Sequence, residues 1–193
     1  MRSKEREFPM RKMTWITVIC LFATVGAAAQ GAANPVVSSA REIYNRQSKY
    51  ITAAAEEMPE SDYGYHPTPA QLAFGQTIAH IAQSDFNICS ILSDTPAPTD
   101  WKVTAADPKD KLVAAVKASF DFCSQALANL QDSKLGDTVK FFGGRQVPRA
   151  RALLELTDDL EDHYSQLAGY LRLNGMLPPS AQTAPATTTQ SAK

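Results

Sequence analysis

A surplus of charge is the first thing this sequence lacks. Against 19 Lys and Arg stand 20 Asp and Glu, so the 193 residues carry a net charge of −1. A nucleic-acid binder needs a basic stripe, and an acidic tail protein needs a run of carboxylates; the balance excludes both, and nucleic acid is not an expected partner. Nine Gly and twelve Pro are too few for a fibrous or low-complexity chain. Three Cys exclude a disulfide-framework miniprotein. Three His leave little material for metal or proton-transfer chemistry, which makes the position of each one informative. What remains, 44% hydrophobic and 20% charged, is ordinary soluble composition, and the length points to one domain.

Long uncharged apolar runs are also scarce, and the most prominent stands near the start. Residues 1–12 read MRSKEREFPMRK, and residues 13–28 read MTWITVICLFATVGAA without a charge. Ala27-Ala28-Ala29 and Gln30 follow. A charged segment, an apolar segment and a small-residue site in this order predict a signal peptide over 1–29. The run is at the short limit for a membrane span, so cleavage is expected to leave no stable membrane anchor. Cys20 follows Ile19 inside the apolar run, which does not suit a lipid-anchor site. The expected product is periplasmic or secreted. Cleavage after Ala29 would leave 14 basic and 18 acidic residues, net −4, with Cys89 and Cys123 as its two cysteines. An oxidising compartment allows these to pair.

After a linker over 30–37, four segments have helical spacing. Ser39 and Glu42 have the spacing of a capping box, and Ile43, Tyr44, Ile51, Ala54 and Met58 form an apolar stripe interrupted by Gln47. Thr68-Pro69-Ala70-Gln71 predicts the start of a second helix with Phe74, Ile78, Ile81, Ile88 and Leu92 on its stripe. Asp107-Pro108 starts a third, carrying Leu112, Val116, Phe120, Cys123, Leu127 and Leu130. A fourth begins near Pro148, carries Leu153, Leu156, Leu160, His163, Tyr164, Leu167 and Leu171, and ends at Gly175. TVKFFGGRQV, residues 138–147, suits only a short extended segment, and 178–193 reads as a disordered Pro/Thr/Ala tail.

The expected fold is all-α, a four-helix bundle over 38–177. About 15 residues separate helices two and three, enough to span on the order of 50 Å, longer than a helix of about 35 Å. A long crossover connection would let these two helices run parallel. Cys89 and Cys123 would then come within reach of each other, whereas antiparallel helices would hold them about 15 Å or more apart.

His66 falls in the loop before helix two. His80 lies mid-helix at the edge of the apolar stripe, beside Thr77, Ser84 and Ile91. His163 lies on the stripe of helix four, and Asp159 precedes it by one turn on the same face. Two imidazoles and a carboxylate on facing helices can surround Zn, Ni, Fe or Mn and leave coordination positions open. The competing expectation makes His163 a hydrogen-bonded core residue and Asp159 a surface one. Asp85 falls near the centre of the apolar face of helix two, where it would either support the site from behind or, the favoured expectation, hydrogen-bond helix or loop backbone.

The stretch Phe74-Gly75-Gln76-Thr77-Ile78-Ala79-His80-Ile81-Ala82 resembles the second-helix motif of the DinB/YfiT-like superfamily. Asp162-His163-Tyr164-Ser165-Gln166-Leu167, continuing through Tyr170-Leu171-Arg172-Leu173-Asn174-Gly175 to Pro178-Pro179, is similar to its fourth-helix motif, and Phe120–Cys123 resembles part of its third. The resemblance covers roughly Ser38 to Ser180. It implies a bundle of unusual connectivity and a metal site of three histidines, one on helix two and an H-x-x-x-H pair on helix four. His80 and His163 match the first and last; Asp159 stands at the middle position, and Ser165 replaces the usual Gly.

Some members resemble thiol transferases that use a divalent metal to ionise a small thiol. Such thiols are mainly cytosolic, so for an exported chain a metal-dependent transferase or hydrolase acting on an unidentified small molecule is the expectation. The alternative is a non-catalytic extracytoplasmic module that binds a ligand or partner through a degenerate metal site. A homodimer is open to either reading.

Overall fold

The computed structural model describes residues 34–182. The expected signal peptide over 1–29, most of the linker and the tail beyond 182 lie outside them. Four long helices dominate: α1 (Pro35–Glu57), α2 (Phe74–Ser93), α3 (Lys109–Asn129) and α4 (Arg149–Leu173). A two-stranded antiparallel hairpin, β1 (Thr138–Lys140) and β2 (Gln146–Pro148), precedes α4, and a single turn, α5 (Pro179–Gln182), follows it. Among the described helices, none is long and apolar enough to cross a membrane.

The apolar stripes pack as their periodicity requires. Tyr44 and Ile51 of α1, Phe74, Ile78 and Ile81 of α2, Leu112 and Leu127 of α3, and Leu153 and Leu156 of α4 are all buried in one core. Each such side chain contributes about 1.5–3 kcal/mol by leaving water.

Contacts set the helix directions. Along α2 and α3, Gly75 approaches Leu112, Phe86 meets Phe122 and Cys89 is bridged to Cys123 across a Cα–Cα distance of 5.2 Å, so the residues pair in ascending order and the helices run parallel. Along α2 and α4 the order reverses: the Tyr170 hydroxyl donates to the Leu72 carbonyl, and the Arg149 guanidinium to those of Ile91 and Leu92. The crossover that parallel packing needs runs back along α2. Trp101 stacks on Phe86 at 4.7 Å, and the Gln83 amide donates to the Val103 carbonyl at 2.9 Å.

Helix starts differ from those expected at α1 and α2. Helix α1 begins at Pro35, inside the expected linker, and Ser39 lies within it, donating to the Pro35 carbonyl. The free N–H groups of Val36 and Val37 are capped by the Asp132 carboxylate, from the turn after α3, at 2.9 and 2.8 Å. Helix α2 begins at Phe74, not at Thr68-Pro69, which form a turn instead. The carbonyls of Tyr65 and Tyr63 accept from Phe74 and Gly75, and the Gln76 side chain accepts from the Ala73 N–H. These partners satisfy the orphan donors of the first turn in place of a threonine cap.

The expected tail is structured at its start. Pro178 and Pro179 are buried, and Ser180 donates its backbone N–H to the Tyr164 hydroxyl at 2.8 Å.

Candidate metal centre

Residues 159 and 163 stand one turn apart on α4, so both side chains leave the same face. The antiparallel α2 brings His80 up against that face. His163 Nε2 lies 3.3 Å from Asp159 Oδ1, and His80 Nε2 lies 4.0 Å from the same oxygen. The two imidazole rings meet edge to face at 4.8 Å. All three ligand atoms lie within 4.8 Å of one another. His163 is buried, Asp159 is partly covered and the His80 side chain is 48% exposed. The group is therefore dry at its base and open at His80. His66 is elsewhere: it is exposed in its loop, with Nδ1 2.9 Å from the Thr68 carbonyl.

The electrostatics suit cation ligands. Burial opposes ionisation of Asp159, but hydrogen bonding and charge from His163, with contributions from Ser84 and His80, outweigh it and hold the carboxyl below its usual range. Burial, reinforced by repulsion from His163 and only partly opposed by Asp159, lowers the pKa of His80. An ionised carboxylate beside an imidazole kept neutral at pH 7 is the protonation pattern metal coordination requires.

Whether the residues fit an ion can be tested on polar atoms without partners. Asp159 Oδ2 and His163 Nδ1 are both buried without a hydrogen bond. Leaving such an atom unpaired costs about 1–3 kcal/mol, and a cation would relieve it at Asp159. Bonds of roughly 2.0–2.1 Å to a tetrahedral zinc place donors about 3.3 Å apart. The Asp159–His163 pair has that spacing, and His80 needs a modest side-chain adjustment. His80, Asp159 and His163 could hold a divalent ion.

His80 and Asp159 border a cavity of about 310 Å³, which His163 does not line. Gln83, Ser84 and Asn87 line it from α2, Glu155 from α4 and Phe142 from the hairpin tip. Ser84 lies one turn after His80 on the edge of the helix where the spacing puts it. Glu155, one turn before Asp159, has the same kind of signal but is not a candidate on the sequence alone. Phe142 has none, because only the hairpin brings it to α2.

Asp85 departs from expectation. Its carboxylate accepts from the Tyr44 hydroxyl at 2.8 Å, a side-chain partner on α1 in place of backbone, and its Oδ1 has no hydrogen bond. Complete burial pushes its pKa up to about 8, with repulsion from Asp159 adding to the rise and hydrogen bonds from Tyr44 and Ser119 moderating it. At neutral pH it is mainly the uncharged acid.

The sequence model of the DinB superfamily matches residues 43–167, and the chain belongs to that superfamily. Solved structures show the same fold. A DinB-like protein of Bacillus subtilis is 18% identical with a TM-score of 0.61, over 76% of this chain and 99% of its own. A conserved protein of Enterococcus faecalis is 19% identical with a TM-score of 0.58, over 72% and 96%. A mycothiol-dependent maleylpyruvate isomerase is 14% identical with a TM-score of 0.55 over 68% of this chain, which spans 60% of the isomerase's length. A comparison with curated proteins finds no match.

Proposed function

We propose that this DinB superfamily chain is exported and holds one divalent metal ion, Zn, Ni, Fe or Mn, through His80, Asp159 and His163, acting as a metal-dependent transferase or hydrolase on a small molecule. The observation that carries the reading is the convergence of His80 and His163 on one oxygen of the Asp159 carboxylate, whose other oxygen is buried without a partner, with a cavity bordered by His80 and Asp159. When bound, the ion would supply Lewis acidity and lower the pKa of a coordinated water or thiol. The chain's own contributions are distinct. Asp159 offsets part of the ion's charge, His163 anchors it from the buried side, and half-exposed His80 borders the solvent-facing positions. The same fold houses a mycothiol-dependent isomerase, so it can accommodate thiol-dependent chemistry.

Export rests on the N-terminal pattern and is supported by the Cys89–Cys123 bridge, since disulfides persist outside the reducing cytoplasm. Asp159, standing where the resemblance places a histidine, favours a second reading: a non-catalytic binding module with a degenerate site.

Elemental analysis separates the two. The exported protein should carry about one equivalent of metal. His163→Ala should carry none while keeping its helicity by circular dichroism, and Asp159→His should retain Zn or Ni, which imidazole suits. No metal after reconstitution with Zn, Ni, Mn and Fe would leave the binding module. Intact mass of the same sample tests export; a form retaining residues 13–29 would overturn cleavage after Ala29.

A further inference from the structure

We propose that Phe142 is the specificity wall of the cavity over the metal centre, and that the bound substrate presents a flat conjugated ring to it. This rests on the metal reading above and names the class of molecule the site takes.

The hairpin holds Phe142 in place. Phe141, buried in the core, packs against it with ring centroids 4.5 Å apart. Gly143 and Gly144 follow with φ of 68° and 77°, a left-handed pair that side chains resist. The turn is closed by the Phe141 N–H donating to the Arg145 carbonyl at 2.7 Å and the Gly144 N–H donating to the Phe141 carbonyl at 3.0 Å. The Arg145 side chain donates to the Phe142 carbonyl at 3.3 Å. Phe142 nevertheless keeps 44% of its surface exposed, on the wall of an otherwise largely polar cavity. An aromatic surface held this way loses little entropy when a ligand stacks on it.

The remaining lining is mainly polar. No Lys or Arg lines the cavity, and Glu155 is already paired with Arg151. A divalent ion, only partly offset by Asp159, would oppose a cationic substrate. Neutral hydrogen-bonding groups do find partners. Gln83 spends its NH₂ on the Val103 carbonyl and keeps its oxygen as an acceptor, and Asn87 is exposed. A planar ring joined to an amide or similar neutral polar group satisfies the phenyl wall and the carboxamides together.

Hydroxamates test this, because they ligate zinc with or without a ring attached. Titration calorimetry on the zinc-loaded protein should show benzohydroxamate binding about three- to tenfold tighter than acetohydroxamate. The ratio should fall to within about twofold in Phe142→Ala and return in Phe142→Trp. A ratio undiminished in Phe142→Ala overturns the wall and leaves the metal reading standing. Zinc uptake without binding of either hydroxamate overturns the wall, because the cavity then does not open onto the metal. Failure to take up zinc overturns the metal reading instead, and the wall is then read on the metal-free protein by NMR with benzamide and acetamide. Shifts at the Phe142 and Asn87 amides for benzamide alone support it; equal shifts for both overturn it.

Discussion

Helix α2 packs along both α3 and α4, and the two seams differ in what joins them. Toward α3 lie the covalent bridge at Cys89–Cys123, the Phe86–Phe122 contact and the close approach of Gly75 to Leu112. Toward α4 the same helix carries His80 and Ser84, and the facing residues include Asp159 and His163, each with a buried polar atom left unpaired. One seam is closed by a covalent bridge and aromatic packing; the other holds polar groups that stabilise the fold little by themselves. The lesson is a division of labour on one helix. The α2–α3 seam can bear the cost of aligning donors on the α2–α4 seam, because bridging and apolar packing do not depend on the site being filled.

Breaking the closed seam should give the largest effect. The bridge closes a separation of 34 residues, for which loop-closure entropy predicts about 4 kcal/mol. Cys89→Ala with Cys123→Ala should therefore lose roughly that much in urea unfolding, while metal content under native conditions stays near the wild-type value. Loss of metal in a protein that remains folded would show that the seams are coupled.

Asp85 lies behind the open seam and should give the next effect, which depends on pH. Its folded pKa of about 8 is raised above the ordinary 3.8, so the folded state holds the proton more tightly. Its stabilising contribution is fully present below about pH 4, declines as pH rises toward 8 and is exhausted above that. In Asp85→Asn this decline should vanish. At pH 9 the metal-free variant should exceed the wild type by on the order of 3 kcal/mol, less than full linkage because the new NH₂ lies where an oxygen already has no partner. Parallel stability–pH curves for the two proteins would contradict a buried neutral acid.

The smallest effect is expected at the start of the closed seam. A Cβ added at Gly75 would lie 3.1 Å from the Tyr63 ring and 3.3 Å from its carbonyl oxygen. Tyr63 cannot retreat freely, because its hydroxyl donates to the Ala55 carbonyl at 2.6 Å. Gly75→Ala should lose about 1 kcal/mol, overpacking outweighing the helix propensity gained. An unchanged or raised melting temperature would mean that the seam has slack.

Residue spacing carried much of this architecture. The stripes of α3 and α4 are strongly periodic, and both helices start beside the prolines that mark them. The i, i+4 relation of Asp159 and His163 is a property of any helix through them, and the length of the 94–108 loop already allowed a parallel α2 and α3. The start of α2 lies later than Thr68-Pro69, although that pair has the chemistry of a cap, because the donors of Phe74 and Gly75 are met by carbonyls folded back from Tyr65 and Tyr63.

What the sequence determined by itself is whatever depends on neighbours along the chain: helical periodicity, the shared face of Asp159 and His163, and the resemblance carried by motifs on α2 and α4. Tertiary structure alone decided the contacts between distant segments. It set His80 4.0 Å from Asp159, supplied Asp132 as the cap of α1 from 95 residues away, paired Asp85 with Tyr44 and carried Phe142 to the cavity of α2. The physical reason is range: backbone periodicity acts over a turn or two of helix, whereas these contacts exist only once the apolar stripes have been buried against one another and the helix directions are set.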